Sequence, residues 1–245
     1  IIGLKFKKIS RRSKYLLFFF DKDIVMLVHL GMTGKFFFVN RKRKKHKTSF
    51  YYDINEEKDK KHDRIIFDLS NNQKLIYNDI RKFGFIKFIK RVNLDQNIHL
   101  KSLGPEPLSI NFNIRYFKNY IEGKKRTIKD LLMDQKFLSG LGNIYVNEIL
   151  FFSGVSPTKK IKKLTNFEIQ KIIKFSKKII SKAIELGGSS IKDFSSSSGK
   201  KGSFQQHFSV YGKKGENCSK VRCVGIIKKI VIANRASFFC NKCQK

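Results

Sequence analysis

Three observations predict an α+β protein of two domains, an antiparallel β-sandwich followed by helices. Short β-branched and aromatic runs fill the chain up to LGPEPL (Leu103 to Leu108), a stretch that holds two of its three prolines. Helical periodicity is clear only after that stretch, and all four cysteines fall near the C-terminus. At 245 residues and 41% hydrophobic content, the chain can bury a core, divided between two lobes. The predicted division is 1–102 for the sandwich and 103–108 for a linker, then 109–209 for the helices and 210–245 for the cysteine segment.

In the first part, IVMLVHL, RIIFDLS, KLIYND and FGFIKFI read as strands because Asn, Asp, Gly and Lys clusters bound them. RKRKKHKTSF (Arg41 to Phe50) reads as a solvated basic loop. In the second part, Thr165 and Glu168 form a capping box ahead of a core helix that Gly187 stops. Its predicted buried stripe is Ile169, Ile172, Ile173, Ser176, Ile180, Ala183 and Ile184. The Ser/Gly-rich stretch 187–204 is too polar to pack alone and reads as an idle linker or a lid over a ligand.

Charge narrows the function. The 53 Lys and Arg against 19 Asp and Glu give +34, spread along the whole chain. A composition bias toward Ile, Lys, Asn and Phe would inflate lysine without any binding role, but it should raise Glu as well. A polyanionic partner is therefore expected, nucleic acid ahead of an anionic membrane surface. The apolar runs fall short of the ~20 residues that cross a bilayer. No leader is evident, so an intracellular, cytoplasmic protein is expected.

Cys240-Asn-Lys-Cys243 is a C-x2-C knuckle, and sixteen residues separate Cys223 from Cys240, which suits a hairpin closing on one metal. Cys218 and Cys223 form a wider C-x4-C pair. One structural Zn2+ is expected, with two disulfides or free thiols as the alternative in an intracellular chain. A metal clip suits a segment too short to stabilise a hairpin by burial. Four thiolates would leave no open position for catalysis, and Lys220, Arg222 and Lys242 would offset their charge. Arg235, between the pairs, reads as a surface charge or as a side chain held toward a nucleic acid.

In GLGNIYVNEILFFSGVSP, two glycines and Asn143 precede a helix expected from about Ile144 to Ser153, stopped by Gly154. That arrangement offers N–H groups to a phosphate, or forms only a tight helical hairpin. Met32, Arg81 and Phe83 have core or surface explanations. They are also a thioether, a planar cation and a ring able to fill a gap in a base stack. Lys14, Lys124 and Lys129 can each be read as solvated lysines.

RRSKYLL, HLGMTG, DIRKFG, LGPEPL, IKDLLMDQKFLSGLGNIYVNEIL, GGSSIKDF, VYGKKG and the cysteine hairpin follow one another over nearly the whole chain. In that order they resemble bacterial formamidopyrimidine-DNA glycosylases. The resemblance implies an N-terminal β-sandwich, a helix-two-turns-helix domain and a C-terminal β-hairpin zinc finger. It implies a base-excision repair enzyme that removes 8-oxoguanine and ring-opened purines, then nicks the abasic strand by successive eliminations. The implied partner is damaged double-stranded DNA bound by a monomer, with no membrane. LGPEPL, GNIYVNE, the full-length GGSSIKDF loop and VYGKKG favour this type over the sister endonuclease VIII type, which prefers oxidised pyrimidines.

Residue by residue, the resemblance places Met32, Arg81 and Phe83 in a wedge, with Arg81 meeting the cytosine opposite the lesion. His29 and His62 fall near the DNA backbone, Asn143 on phosphates beside the lesion, and Lys124 and Lys129 on DNA or lesion. Lys14 assists β-elimination, and Arg235 grips phosphate and assists δ-elimination. HDR at His62 to Arg64 and DIRKFG depart from the family's HDH and Pro/Arg positions while leaving Arg81 and Phe83 intact. The family's proline nucleophile and following glutamate have no counterpart, since the chain opens IIGLKFKKIS several dozen residues into the pattern. A fragment of an active enzyme, its sandwich incomplete at the start, is expected. The alternatives are a non-catalytic DNA-binding protein and a basic zinc-bearing RNA-binding protein.

Overall fold

The computed structural model describes residues 1–39, 45–47, 60–189 and 203–245. Of the expected basic loop only 45–47 is described, as a short strand. The Ser/Gly-rich loop lies outside the described residues except at its ends. The chain forms two compact units, Ile1–Lys101 with Gly187–Gln205, and Ser102–Leu186 with Gln206–Lys245. The described ends of the Ser/Gly-rich stretch thus group with the first unit, whereas the sequence reading attached them to the helices.

The first unit holds two antiparallel four-stranded sheets. One runs β1 (Phe6–Arg12), β2 (Tyr15–Phe20), β3 (Ile24–His29) and β8 (Phe85–Lys90). The other runs β5 (Lys45–Lys47), β4 (Lys35–Val39), β7 (Gln73–Asn78) and β6 (Asp63–Leu69). Phe18, Phe20, Met26 and Val28 meet Phe36, Leu75 and Tyr77 in the core. Leu17, Val25 and Leu27 face the other way, against Phe85, Ile89, Leu94 and Leu100. β3 is therefore buried on both faces, which explains its continuous apolar run where a half-exposed strand would alternate. The sheets do not close fully. An apolar cavity of about 410 Å3 lies between Leu16 and Phe18 on one side and Phe36, Phe38 and Leu75 on the other.

In the second unit each helix starts at a side chain or glycine suited to the place. Asn113 accepts from Tyr116 N at the start of α1 (Ile114–Ile121), and Thr127 accepts from Asp130 N at α2 (Ile128–Met133). Gly142 and Gly154 flank α3 (Asn143–Ser153). The expected Thr165/Glu168 capping box opens α4 (Asn166–Glu185). The buried stripe of α4 is Ile169, Ile172, Ser176, Ile179 and Ala183, which corrects the sequence reading. Ile184 is exposed and Ile180 only half-buried, because four-three-four steps from Ile172 reach Ile179 and Ala183 and leave their C-terminal neighbours about 100° off the stripe. Phe112, Phe117 and Phe137 pack edge to face or tilted, with centroids 5.0 to 6.3 Å apart.

LGPEPL is docked, not loose: Gly104 N donates to Gln135 O at 2.9 Å and Pro105 O accepts from Ser139 N at 2.9 Å. β9 (Ile227–Ile232) and β10 (Arg235–Cys240) form the C-terminal hairpin. Its tight turn, Ala233 and Asn234, has φ of 48° and 57°, matching the twist of the strands.

One buried carboxylate ties α3 to the segment entering the hairpin. Glu148 accepts from Ser209 N at 2.8 Å, Val210 N at 3.1 Å and Tyr211 N at 2.9 Å. Burial pushes its carboxyl up against the pull of these three donors and Lys213. Glu148→Ala should lower stability by on the order of 3 kcal/mol, because three buried N–H groups lose their acceptor. Urea unfolding followed by helical circular dichroism checks this, and Glu148→Gln, which keeps one acceptor oxygen, should fall between.

Candidate nucleic-acid interface

In the first unit, the loop between β7 and β8 carries Asp79 to Gly84, and the loop between β3 and β4 carries Leu30 to Gly34. The Arg81 guanidinium donates to Met32 Sδ at 3.1 Å and lies 4.6 Å from the Phe83 ring centroid. Met32 is 53% exposed and Phe83 58%, so a thioether and a ring stand in solvent beside a planar cation. Lys82, between Arg81 and Phe83, has φ 58°, a left-handed turn between the two stacked side chains. Gly84 admits no other residue: a Cβ there would lie 1.9 Å from the Tyr77 hydroxyl and 2.7 Å from His29 O.

Beneath this tip lies Asp79, 1% exposed. It accepts from Thr33 Oγ1 at 2.5 Å, Gly84 N at 2.9 Å and the Tyr77 hydroxyl at 3.3 Å. Burial raises its carboxyl, but these donors win and hold it below the usual range. The neighbouring Tyr77 phenol is pushed up, by burial first and by Asp79 second. His62 joins the same loop, since its carbonyl accepts from Asp79 N at 3.0 Å and Arg64 Nη2 lies 3.4 Å from its Nδ1.

His29, at the end of β3, accepts from Gly31 N at 3.1 Å and stacks on Phe85 at 5.8 Å. Burial lowers its basicity, followed by the charges of Lys14 and His99. Lys14 is exposed in the turn between β1 and β2, where Ser13 has φ 55°.

In the second unit, Lys129 is not the solvated lysine that one reading allowed, for it is 0% exposed. Its Nζ donates to Asn143 Oδ1 at 2.7 Å, and burial pushes its pKa from 10.5 down to about 7. Asn143, the first residue of α3, donates through Nδ2 to Ala236 O at 3.0 Å. Asn147, one turn on, accepts from Phe238 N at 2.7 Å. The two amides stitch β10 to α3 and leave Arg235 exposed at the hairpin tip. Lys124 instead folds back on α1, donating to Tyr120 O with its ammonium 4.1 Å from the Tyr120 ring centroid.

The four cysteines converge, their Sγ atoms all within 4.8 Å of one another. Cys218 and Cys243 lie 3.8 Å apart, and Cys223 and Cys240 3.6 Å. These separations are far beyond the ~2.05 Å of a disulfide. They match the ~3.8 Å edge of a tetrahedron with metal–sulfur bonds of about 2.3 Å. The C-x4-C pair reaches the same point as the C-x2-C knuckle. A Cβ at Gly225 would lie 2.5 Å from Cys240 Sγ, so only glycine lets the chain pass over the sulfur. Burial raises the Cys240 thiol, but donors led by the Cys243 and Lys242 backbone hold it at about 7. Burial and the Cys240 thiol push Cys243 up, with Lys220 pulling against them. The site fits one metal ion held by four sulfurs.

The sequence reading passed over Asp79, Thr33, Asn147 and Glu148. The four-residue spacing of Asn143 and Asn147 on one helical face was a usable signal. The donors that Thr33 and Val210 bring to Asp79 and Glu148 had no local signal, since they lie 46 and 62 residues away.

These features define a class: a strongly basic protein with an exposed cation–aromatic tip on a β-sandwich unit and a four-cysteine metal finger on a helical one. Residues 1–86 match the model of the formamidopyrimidine-DNA glycosylase N-terminal domain, and residues 103–195 that of the formamidopyrimidine-DNA glycosylase H2TH domain. The chain is 35% identical to the formamidopyrimidine-DNA glycosylase of Roseobacter denitrificans, covering 100% of this chain and 84% of the relative. It is 38% identical to that of Rickettsia massiliae, covering 100% and 81%. A crystal structure of a Lactococcus lactis Fpg mutant with Fapy-dG-containing DNA superposes with a TM-score of 0.84 at 35% identity, covering 99% of this chain and 83% of that one. The complex of Lactococcus lactis Fpg with DNA containing an abasic site gives 0.83 at 35%, with the same coverage. The chain belongs to the formamidopyrimidine-DNA glycosylase family. Among the described residues no helix is long and apolar enough to cross a membrane.

Lys129 binds fewer protons folded than unfolded between pH 7 and 10.5, so it should make stability rise with pH across that window. Lys129→Met should flatten this rise by on the order of 2 kcal/mol, read as urea midpoints at several pH values.

Proposed function

We propose that this chain is a DNA-repair glycosylase and AP lyase. It excises oxidised purines, 8-oxoguanine and formamidopyrimidines, and nicks the abasic strand by β,δ-elimination. The observation that carries the reading is the tip itself: Met32, Arg81 and Phe83 gathered in solvent on a chain of charge +34. Taking a base out of the duplex costs a few kcal/mol of stacking and pairing, and an apolar wedge with a planar cation offsets part of it. Arg81 would then meet the edge of the orphaned base, which for cytosine offers two adjacent acceptors, O2 and N3, to a guanidinium that only donates.

The remaining cations have work suited to their places. Asn143 and the first turn of α3 present N–H groups to a backbone phosphate. Lys129, poised near neutrality, can hold or release a proton at Nζ beside Asn143. Lys14 and Arg235 supply positive charge for phosphates that leave during the two eliminations, where such charge stabilises most. Lys124, His29 and His62 add backbone contacts. Attack on the sugar is not assigned to a residue of this chain. We assign the metal as one structural Zn2+, which would tie the hairpin together and has no open position for water. We take the protein to act as a monomer on double-stranded DNA in the cytoplasm.

The test is binding at fixed salt to duplexes that carry 8-oxoguanine, thymine glycol or no damage. At least about tenfold preference for 8-oxoguanine is expected. Preference for thymine glycol would make the chain the pyrimidine-directed type, and equal binding would end the glycosylase reading. Arg81→Ala should reduce discrimination for the opposing cytosine about tenfold while changing undamaged-duplex affinity only about twofold. Cys240→Ser should lose the metal, measured as zinc per chain by atomic emission, and weaken binding to all duplexes alike. Zinc retained at one per chain would exclude the four-sulfur site.

A further inference from the structure

We propose that Thr33 and Asp79 form a positioning pair that sets the Arg81/Phe83 tip, and so determines which base is accepted opposite a lesion. The inference rests on the reading of that tip as a DNA wedge. Arg81 reaches outward, and the partners of its guanidinium are soft ones, a sulfur and a ring face. Its aim is therefore set by its backbone. The Arg81 N–H donates to Thr33 Oγ1 at 2.9 Å, and Thr33 Oγ1 lies 2.5 Å from Asp79 Oδ1.

The direction of this chain is forced. An ionised carboxylate only accepts, so the single hydroxyl proton of Thr33 goes to Asp79 and its lone pair is left for Arg81 N–H. Bonds aligned in this way polarise one another. The other carboxylate oxygen accepts from Gly84 N at 2.9 Å, so one side chain holds the loop on both sides of the tip. Asp79 itself cannot drift. Its N–H donates to His62 O at 3.0 Å and its carbonyl accepts from Arg64 Nε at 2.9 Å.

A loop hung in this way fixes the guanidinium closely enough for two parallel hydrogen bonds to a base edge, which a shift of about 1 Å would spoil. Overall affinity should not depend on it, since phosphate contacts supply most of that. The pair thus acts on selectivity and leaves the general grip on DNA unchanged.

The test uses the full chain and duplexes carrying a tetrahydrofuran abasic analogue opposite cytosine or adenine, at fixed salt, with an undamaged duplex as control. Wild type should favour cytosine about tenfold. Thr33→Val keeps the side-chain shape but removes the hydroxyl. It should cut the preference to about twofold or less and leave undamaged-duplex affinity within about twofold. Thr33→Ser, which restores the hydroxyl, should recover the preference, and Asp79→Asn should behave like Thr33→Val. A Thr33→Val protein that keeps the tenfold preference overturns the inference. So does one that loses affinity for every duplex alike, which marks a merely structural role. No preference in wild type would instead sink the wedge reading beneath it.

Discussion

With 53 basic side chains and 19 acidic ones, the chain has too few carboxylates to neutralise its surface, and where it buries them decides its shape. Asp79 holds both sides of the loop between β7 and β8. Glu148 holds three consecutive N–H groups on the way into the hairpin. Asp130 and Asp134 share Arg126, and Glu168 closes the α4 cap while pairing with Lys159. Exposed ion pairs contribute little, whereas a sheltered carboxylate that accepts backbone donors makes strong, directional bonds. Acids placed in this way fix backbone, and most of the cations are left facing solvent, where a polyanion can reach them.

The two units reach stability differently, and the difference bears on what each can carry. The sandwich is built on β3, whose Val25 to Val28 are all fully buried between two apolar layers. Strands anchored so firmly can project a loop with Lys82 in a left-handed conformation, which costs roughly 1 kcal/mol. The helical unit has a fully buried aromatic centre at Phe112, Phe117 and Phe137. Its hairpin has only the small cluster around Phe151, Val210, Ile227 and Phe238, so the sulfur cluster supplies what apolar burial cannot.

Much of this was legible in the sequence because its causes are local. The Thr165/Glu168 box lies within one turn, the apolar run of β3 declares its own double burial, and the cysteine spacing points to a shared ion. The order of the motifs identified the family. β4 escaped because Lys35–Val39 is short, and its pairing with β7 depends on residues almost forty positions away. The α4 stripe was misjudged by one residue at Ile179, since Ile179 and Ile180 are the same side chain and only the neighbouring helices choose between them. The burial of Lys129 was hidden too. The four lysines and arginines in KKRTIK look alike until folding turns one inward.

Arg235 shows how the two kinds of tie combine. At one end of β10, Cys240 belongs to the sulfur cluster, and its N–H donates to Gln244, whose amide donates to Val155 O. Toward the other end, Asn143 bonds Ala236, next to Arg235, and Asn147 bonds Phe238 in mid-strand. The sulfur cluster thus lies at the far end of β10 from Arg235, while Asn143 holds the residue next to it. An ion held by the four sulfurs would keep the hairpin folded, whereas the residue beside Arg235 is tied to α3. Because Asn143 also receives Lys129, the same amide aligns the buried amine and the strand that bears the exposed cation. A side-chain amide can do this where a carboxylate or a lysine cannot, since it accepts from one partner and donates to the other at once.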